Sequence, residues 1–364
     1  MLLFETRIFG MFKLRFHSNI SMNNFKELQK ELEIPKKIVI TTHLRPDADA
    51  LGSSLAMYQF LIKQGHEVQV ITPTDYPDFL KWMPFDKNVL IYVEDTKGCD
   101  VIINDADFII CLDFSGKNRI GVEMGEVVFS SNSKKVLIDH HLDADHFAEY
   151  ELWVDTASSA CELVYDFIQM FNVPGAINVS IGECIYAGMM TDTGSFRYPS
   201  TSKHVHLIVA DLIGIGVDHS KVHQLIYDNN TACRLRLLGY ALSEKMVIID
   251  EFHTAFISLS KEDLQRFKAQ GGDTEGFVNY ALSLKGVVFA ALIKEEDDWI
   301  KMSFRSKGDF PANKFANDHF NGGGHKNAAG GRSDLSFEEA IEEFKNSLKN
   351  FNTELIETRR NAHE

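Results

Sequence analysis

Two rhythms of apolar and polar positions run along the first two-thirds of the chain. Short runs at Lys37 to Thr42, Glu67 to Thr72, Phe108 to Asp113 and Val136 to Asp139 are apolar at most positions and rich in β-branched side chains. Such runs predict strands buried on both faces, as in a parallel sheet covered by helices. Helical spacing is found at Asn23 to Leu32, Ala50 to Gln64, Ser158 to Phe171, Ile181 to Met190, Lys203 to Ile213 and Ser220 to Tyr227. Strands alternating with helices predict an α/β fold with helices on both faces of the sheet.

The pattern loosens between 231 and 244 into a basic, helix-prone stretch carrying Arg234 and Arg236. Beyond it, strands are expected at Met246 to Ile249, Thr254 to Ser258, Val287 to Ile293 and Trp299 to Phe304. A glycine-rich segment follows, and then a closing helix from Ser336 to Lys349, where Ser336 and Glu339 spell a capping box. A chain of 364 residues exceeds what one core usually serves. The expected organisation is an extension over 1–21 with no part in the fold, a large α/β domain over 22–230 and a helical linker over 231–244. A smaller α/β domain over 245–350 and a polar tail over 351–364 complete it.

Charge and cysteine content narrow the function classes. In the first stretch, Arg7, Lys13 and Arg15 interrupt the apolar residues, so it has no continuous core of a secretory signal. No other span is apolar enough for a bilayer, and no membrane association is expected. The five cysteines, Cys99, Cys111, Cys161, Cys184 and Cys233, are scattered and form no C-x-x-C pair, which argues against disulfides and zinc knuckles and for a cytoplasmic protein. A net charge of −15 excludes the broad basic surface that holds long duplex nucleic acid. It suits a small phosphorylated substrate or a short single strand, and a homodimer is compatible with it.

Candidate chemistry gathers where the predicted strands end. His43, Asp47 and Asp49 follow the first strand in TTHLRPDADALGSS, where Pro46 forces a turn. One such aspartate would ordinarily cap the next helix. A histidine and a second carboxylate beside it call for more. Asp113 ends the most apolar strand, where a lone carboxylate is costly unless paired or metal-bound. Asp139, His140 and His141 follow another strand in VLIDHHLDAD, and Asp192 lies where a helical run breaks into a Thr-Asp-Thr-Gly turn, with Arg197 within reach of a phosphate. Oxygen and imidazole donors without thiolates suit hard or borderline cations. Mn²⁺ is expected because it accepts histidine more readily than Mg²⁺, the expected substitute. Two such ions roughly 4 Å apart can activate a shared water, and Asp113 is best placed to bridge them. In the distal part, MSFRSKGDF and FNGGGHKNAAGGR offer Arg305 as a phosphate clamp and His325 as a donor. Their glycines allow backbone N–H groups to approach an anion.

These motifs, in this order from about Lys36 to Lys349, resemble the DHH phosphoesterase superfamily with its C-terminal DHHA1 domain, and within it the bacterial group that degrades nanoRNA and dephosphorylates phosphoadenosine phosphate. The resemblance implies one cation on His43, Asp47 and Asp113 and a second on Asp49, Asp113, His140 and Asp192. It also implies that His141 contacts the scissile phosphate, that Asp139 orients the histidines, and that Arg305, Gly323, Gly324 and His325 hold the terminal nucleotide. Ala48 departs from the family's usual glycine in Asp-Gly-Asp, and Arg197 matches a family arginine only loosely. The implied activity is metal-dependent hydrolysis of short oligoribonucleotides and of 3′-phosphoadenosine 5′-phosphate. Cyclic or linear diadenylate phosphodiesterases and exopolyphosphatases of the same superfamily are rivals, and an inactive nucleotide-binding module is the non-enzymatic alternative.

Overall fold

The computed structural model describes residues 22–142 and 144–361; the expected N-terminal extension lies outside them. In chain order the first part runs α1 (Phe25–Glu31), β1 (Lys37–Thr41), α2 (Ala48–Lys63), β2 (Glu67–Thr72), β3 (Val89–Ile91), α3 (Thr96–Asp105), β4 (Phe108–Leu112), α4 (Val122–Ser130), β5 (Lys134–Asp139) and β6 (Tyr150–Trp153). It continues with α5 (Ala160–Met170), α6 (Val179–Asp192), α7 (Lys203–Gly214) and α8 (His219–Tyr227).

The six strands form one sheet in the order β3-β2-β1-β4-β5-β6, parallel throughout. Successive side chains of a strand face opposite ways, and here both ways lead into apolar cores. Ile38, Ile40, Ile110, Leu112 and Ile138 pack with α2, α5 and α6, while Val39, Ile109, Cys111 and Leu137 pack with α3 and α4. The chain lays β2 and β3 to one side of β1 and then crosses to place β4 on the other. The crevice beyond the carboxyl ends of β1 and β4 is therefore the switch point at which open α/β sheets bind ligands.

The second part runs α9 (Ala232–Glu244), β7 (Met246–Ile249), β8 (Thr254–Leu259), α10 (Lys261–Arg266), α11 (Phe277–Leu282), β9 (Phe289–Glu295), β10 (Ile300–Ser306), α12 (Ala312–His319), β11 (Gly323–His325), β12 (Ala328–Ser333), α13 (Phe337–Ser347) and α14 (Asn352–Asn361). Its strands form a mixed sheet in the order β11-β12-β10-β9-β8-β7, with only β8 and β9 parallel. One face buries a phenylalanine-rich core that includes Phe256, Phe289, Phe304, Phe315 and Phe344. The other packs Ala255, Ile257, Ala290 and Leu292 against α9 and α11.

Several sequence expectations need correction. Strands β3 and β6 do not stand out of the pattern: the first is three residues long, and the second is an edge strand that buries only every other side chain. Helix α1 begins two residues later than its spacing predicts, after Asn24 in the left-handed region (φ 56°). The stretch 231–244 is more than a connector, because Leu237 and Ala241 of α9 are fully buried in the second part's core. The polar stretch after 350 is part of the fold: it contains α14, whose Leu355 is fully buried in the phenylalanine-rich core. All five cysteines are free thiols, and no described helix is long and apolar enough to cross a membrane.

Candidate active site

The strand ends deliver their acids and imidazoles to one place. Asp47 is the N-cap of α2, its Oδ1 accepting from the Asp49 and Ala50 backbone N–H groups at 3.0 and 3.1 Å. The ordinary capping role is thus real for Asp47, and the same carboxylate also joins His43 and Asp113 in a group whose ligand atoms lie within 4.8 Å of one another. His43 places Nδ1 2.8 Å from the Leu44 carbonyl, the geometry of an N–H donated to that oxygen, which leaves Nε2 facing Asp113 Oδ2 at 3.3 Å.

Asp49, in the first turn of α2, is fully buried. It accepts from the Ala160 and Cys161 backbone N–H groups at 2.6 and 2.9 Å, so the positive ends of both α2 and α5 converge on it. Sequence reasoning misses these donors. Their signal lies in the Ser159-x-x-Glu162 spacing, since Ser159 caps α5.

Asp113 follows β4 in the left-handed region, at φ 64°. That conformation is uncommon outside glycine and, at a buried carboxylate, is typical of a functional constraint. Its Oδ1 lies 3.4 Å from His140 Nε2 and 3.5 Å from His141 Nδ1. His140 Nε2 also faces Asp192 Oδ2 at 3.4 Å and Asp49 Oδ2 at 3.7 Å, so three carboxylates surround one ring nitrogen. Asp192 is the last residue of α6, after which Gly194, Ser195 and Phe196 all turn left-handed. Asp139 supports His141 alone, through the His141 backbone N–H and Nδ1 (2.8 Å), whereas His140 Nδ1 faces the Ala157 carbonyl at 3.3 Å. The expectation that Asp139 orients both histidines is corrected accordingly.

Two buried atoms decide what this arrangement is for. Asp113 Oδ1 and His140 Nε2 have no hydrogen-bond partner among the described residues, although each is walled in by potential ligands. Buried polar atoms are normally paired, and such orphans call for an ion. Electrostatics agrees. Burial, and then the charge of Asp113, push Asp49 up to about 7; burial, and then Asp49 and Asp47, raise Asp192 well above the carboxylate range. Burial also works against a charged Asp113, yet His140, His43 and His141 hold it well below its ordinary value. His140 rises to about 10 despite burial because Asp113, Asp192 and Asp49 surround it. Acids that burial and mutual repulsion push up, beside an imidazole that the same acids push up, mark a site short of positive charge. The donor set fits divalent cations.

From the second part, His325 reaches this centre. Its ring stands 4.8 Å from that of His141, nearly parallel at 25°, and 4.9 Å from that of His140. Burial, and then the charges of His140 and His141, push it down to about 3, so the ring is neutral. The glycines ahead of it do different things. A Cβ at Gly322 would collide with the Gly330 carbonyl oxygen, and Gly324 has a φ of +133°, so both are required by the pairing of β11 with β12; only Gly323 is open. Arg305 is cross-strand from Ala328, which also pairs with His325. It donates one guanidinium N–H to the Phe304 carbonyl, while its buried Nε has no partner among the described residues. Arg197 is exposed and folds back to donate Nε–H to the Gly194 carbonyl at 2.7 Å.

An open parallel sheet with acids and imidazoles at its switch point, closed over by a second sheet that adds a histidine, is the architecture of a metal-dependent hydrolase of phosphate esters. The sequence profile of the DHH family N-terminal domain matches residues 37–189, and that of the DHHA1 domain matches residues 252–354. The chain belongs to the DHH family. It is 28% identical over 319 residues to the bifunctional oligoribonuclease and PAP phosphatase NrnA of Bacillus subtilis, covering 86% of this chain and 94% of that protein. A probable protein of the same name from Streptococcus mutans is also 28% identical, over 90% of this chain and 100% of its own length. Among solved structures, an exopolyphosphatase-related protein from Bacteroides fragilis aligns with a TM-score of 0.87 and 41% identity, over 91% of this chain and 97% of that one.

Proposed function

We propose that this protein hydrolyses short oligoribonucleotides to mononucleotides and removes the 3′-phosphate of 3′-phosphoadenosine 5′-phosphate, using two Mn²⁺ ions. The observation that carries this reading is Asp113, whose two oxygens face the imidazoles of separate clusters, His43 on one side and His140 with His141 on the other. His43, Asp47 and Asp113 would hold one cation, and Asp49, Asp113, His140 and Asp192 the other, with Mg²⁺ as a substitute. Bound there, the cations supply Lewis acidity and a water acidic enough to attack phosphorus at neutral pH.

The protein's own groups position the substrate. His141, held through Nδ1 by Asp139, would present Nε2 to the scissile phosphate and assist the leaving oxygen. Neutral His325 donates to the same phosphate from the opposite sheet. Arg305, with Gly323 and Gly324 beside it, receives the terminal nucleotide, and Arg197 is a further candidate phosphate contact. The names of the Bacillus and Streptococcus relatives support the two substrate classes.

The test is a panel of diadenylate, a pentanucleotide, phosphoadenosine phosphate, cyclic diadenylate and polyphosphate, assayed with Mn²⁺, with Mg²⁺ and with chelator. Oligoribonucleotides and phosphoadenosine phosphate turned over best, and only with cation, is the expected result. Preference for cyclic diadenylate or for polyphosphate would replace this reading with that activity, and a metal-loaded protein inert on every substrate would leave a binding module.

A further inference from the structure

The second sheet turns one face of β10 toward the first domain, and side-chain alternation puts Trp299, Lys301, Ser303 and Arg305 on that face while Ile300, Met302 and Phe304 fill the phenylalanine-rich core. Residues directly opposite in antiparallel strands share a face. Lys301 is opposite Lys294 on β9 and Arg332 on β12, so three cations form one row across three strands. The next row on this face is Leu292, Ser303 and Gly330, and the one after it is Ala290, Arg305 and Ala328. On the β9 side Leu292 and Ala290 are covered by α9 and α11, so Ser303, Gly330 and Ala328, small and none of them buried, separate the cationic row from the Arg305 and His325 end. Four residues of strand, about 13 Å, lie between the two ends, room for a further phosphorylated unit of a substrate.

Like charges placed directly opposite one another destabilise a sheet, and here they are only partly offset. Lys294 has Glu296 at 2.8 Å and Arg332 has Asp334 at 2.8 Å, but among the described residues Lys301 meets no carboxylate within 4.0 Å. Burial, then Lys294 and Arg45, hold Lys301 below its ordinary range, against the weaker pull of Glu296 and Glu275. A fourth cation comes from the other domain. The Arg45 guanidinium lies 5.9 Å from the centre of the Trp299 ring, which Arg332 also approaches at 5.2 Å. Arg45 belongs to the loop carrying His43 and Asp47, has φ 55°, and among the described residues forms no side-chain hydrogen bond or ion pair. Cations fixed on an aromatic plane keep outward N–H donors available.

We propose that Lys294, Lys301 and Arg332, with Arg45 set against Trp299, form a second anion subsite that takes a phosphate of the substrate beyond the one held at His325. This rests on the proposed nucleotide hydrolysis and deepens it by giving substrate length a physical reader. The phosphate could come from the next internucleotide linkage or from a terminal monophosphate; its chemistry is the same.

The experiment compares wild type with Lys301→Met and Arg332→Gln, each first shown to be folded by circular dichroism, on di-, tri- and pentanucleotides with and without a 5′-phosphate. The expected result is a roughly tenfold fall in kcat/KM, through KM, for substrates with the additional phosphate relative to those without it. A fall that tracks chain length assigns the internucleotide phosphate, and one that tracks the 5′-phosphate assigns the terminal group. An equal fall on every substrate, or none, overturns the subsite. A second readout does not depend on turnover. In an Asp113→Ala background with Mn²⁺, the salt dependence of pentanucleotide binding by fluorescence anisotropy should lose about 0.7 in log–log slope for one lost phosphate contact when Lys301→Met is added. An unchanged slope counts against the subsite even where hydrolysis is confirmed; a reduced slope in a protein that hydrolyses nothing keeps the subsite and removes the enzymatic reading.

Discussion

Asp113 combines a positive φ, near-complete burial and contact with three imidazoles, and these separate its backbone role from its chemical one. Asn tolerates the left-handed region better than Ala, which is strained there by about 1 kcal/mol. Asp113→Asn is therefore expected to fold normally and Asp113→Ala nearly so, while both lose turnover by on the order of a thousandfold and retain less metal by elemental analysis. Full activity in either variant would end its bridging role. A second buried acid offers a control away from the site. His204 Nε2 lies within 3.0 Å of both oxygens of Asp166, which raise its pKa above the ordinary 6.5 even though burial opposes charge. A raised folded pKa contributes stability that is complete below the unfolded value and disappears as pH climbs through the folded one. His204→Gln should cost about 1–2 kcal/mol at pH 5.5 and less at pH 9, read from urea unfolding at the two values. At this scale the sequence is informative about which residues meet, because an acid at the end of an apolar strand is costly unless a partner or a cation meets it there. It does not say which of the two histidines Asp139 orients, nor does it reveal the α5 amides beneath Asp49, since these depend on side-chain direction and on a helix 111 residues away.

Elements are readable in proportion to the apolar side chains they carry. The central strands of the first sheet bury nearly every residue, so β1, β4 and β5 stand out of the sequence, whereas β3 with partial burial and β6 with alternating burial do not. Helix α14 shows the limit. Asn352–Asn361 is mostly polar, and a single leucine fixes it by insertion among phenylalanines, a contact set by tertiary packing and not by helical periodicity. Truncating that side chain should leave a cavity. Leu355→Ala is expected to destabilise by about 3 kcal/mol in urea unfolding, while Glu357→Ala, on the exposed side of the same helix, should stay within about 0.5 kcal/mol. Equal small effects would mean that α14 adds little to the stability of the second core.

Over the whole molecule, the site is shared between two domains, each with its own sheet and its own pair of cores. Strand-end rules locate the half of it in the first sheet, but nothing local in FNGGGHKNAAGGR says where in space its histidine lands. The register of β11 against β12 settles that, with Gly322 and Gly324 admitting a backbone approach that any side chain would block. His325 then stacks on the two histidines of the first domain, and this contact raises a choice. His140, His141 and His325 present ring nitrogens within 4.8 Å of one another, so His325 could be a ligand or a substrate contact. Chemistry favours the latter. The six ligands proposed in the first domain already include the four carboxylates needed to balance two divalent cations, and a neutral imidazole delivered by the other domain can donate to a phosphate without joining that set. His325→Ala should therefore raise KM by roughly ten- to a hundredfold, the loss of one buried hydrogen bond to a charged group, with metal content equal to wild type. Loss of metal from that variant would instead make His325 a ligand and the centre a site completed only when the two domains meet.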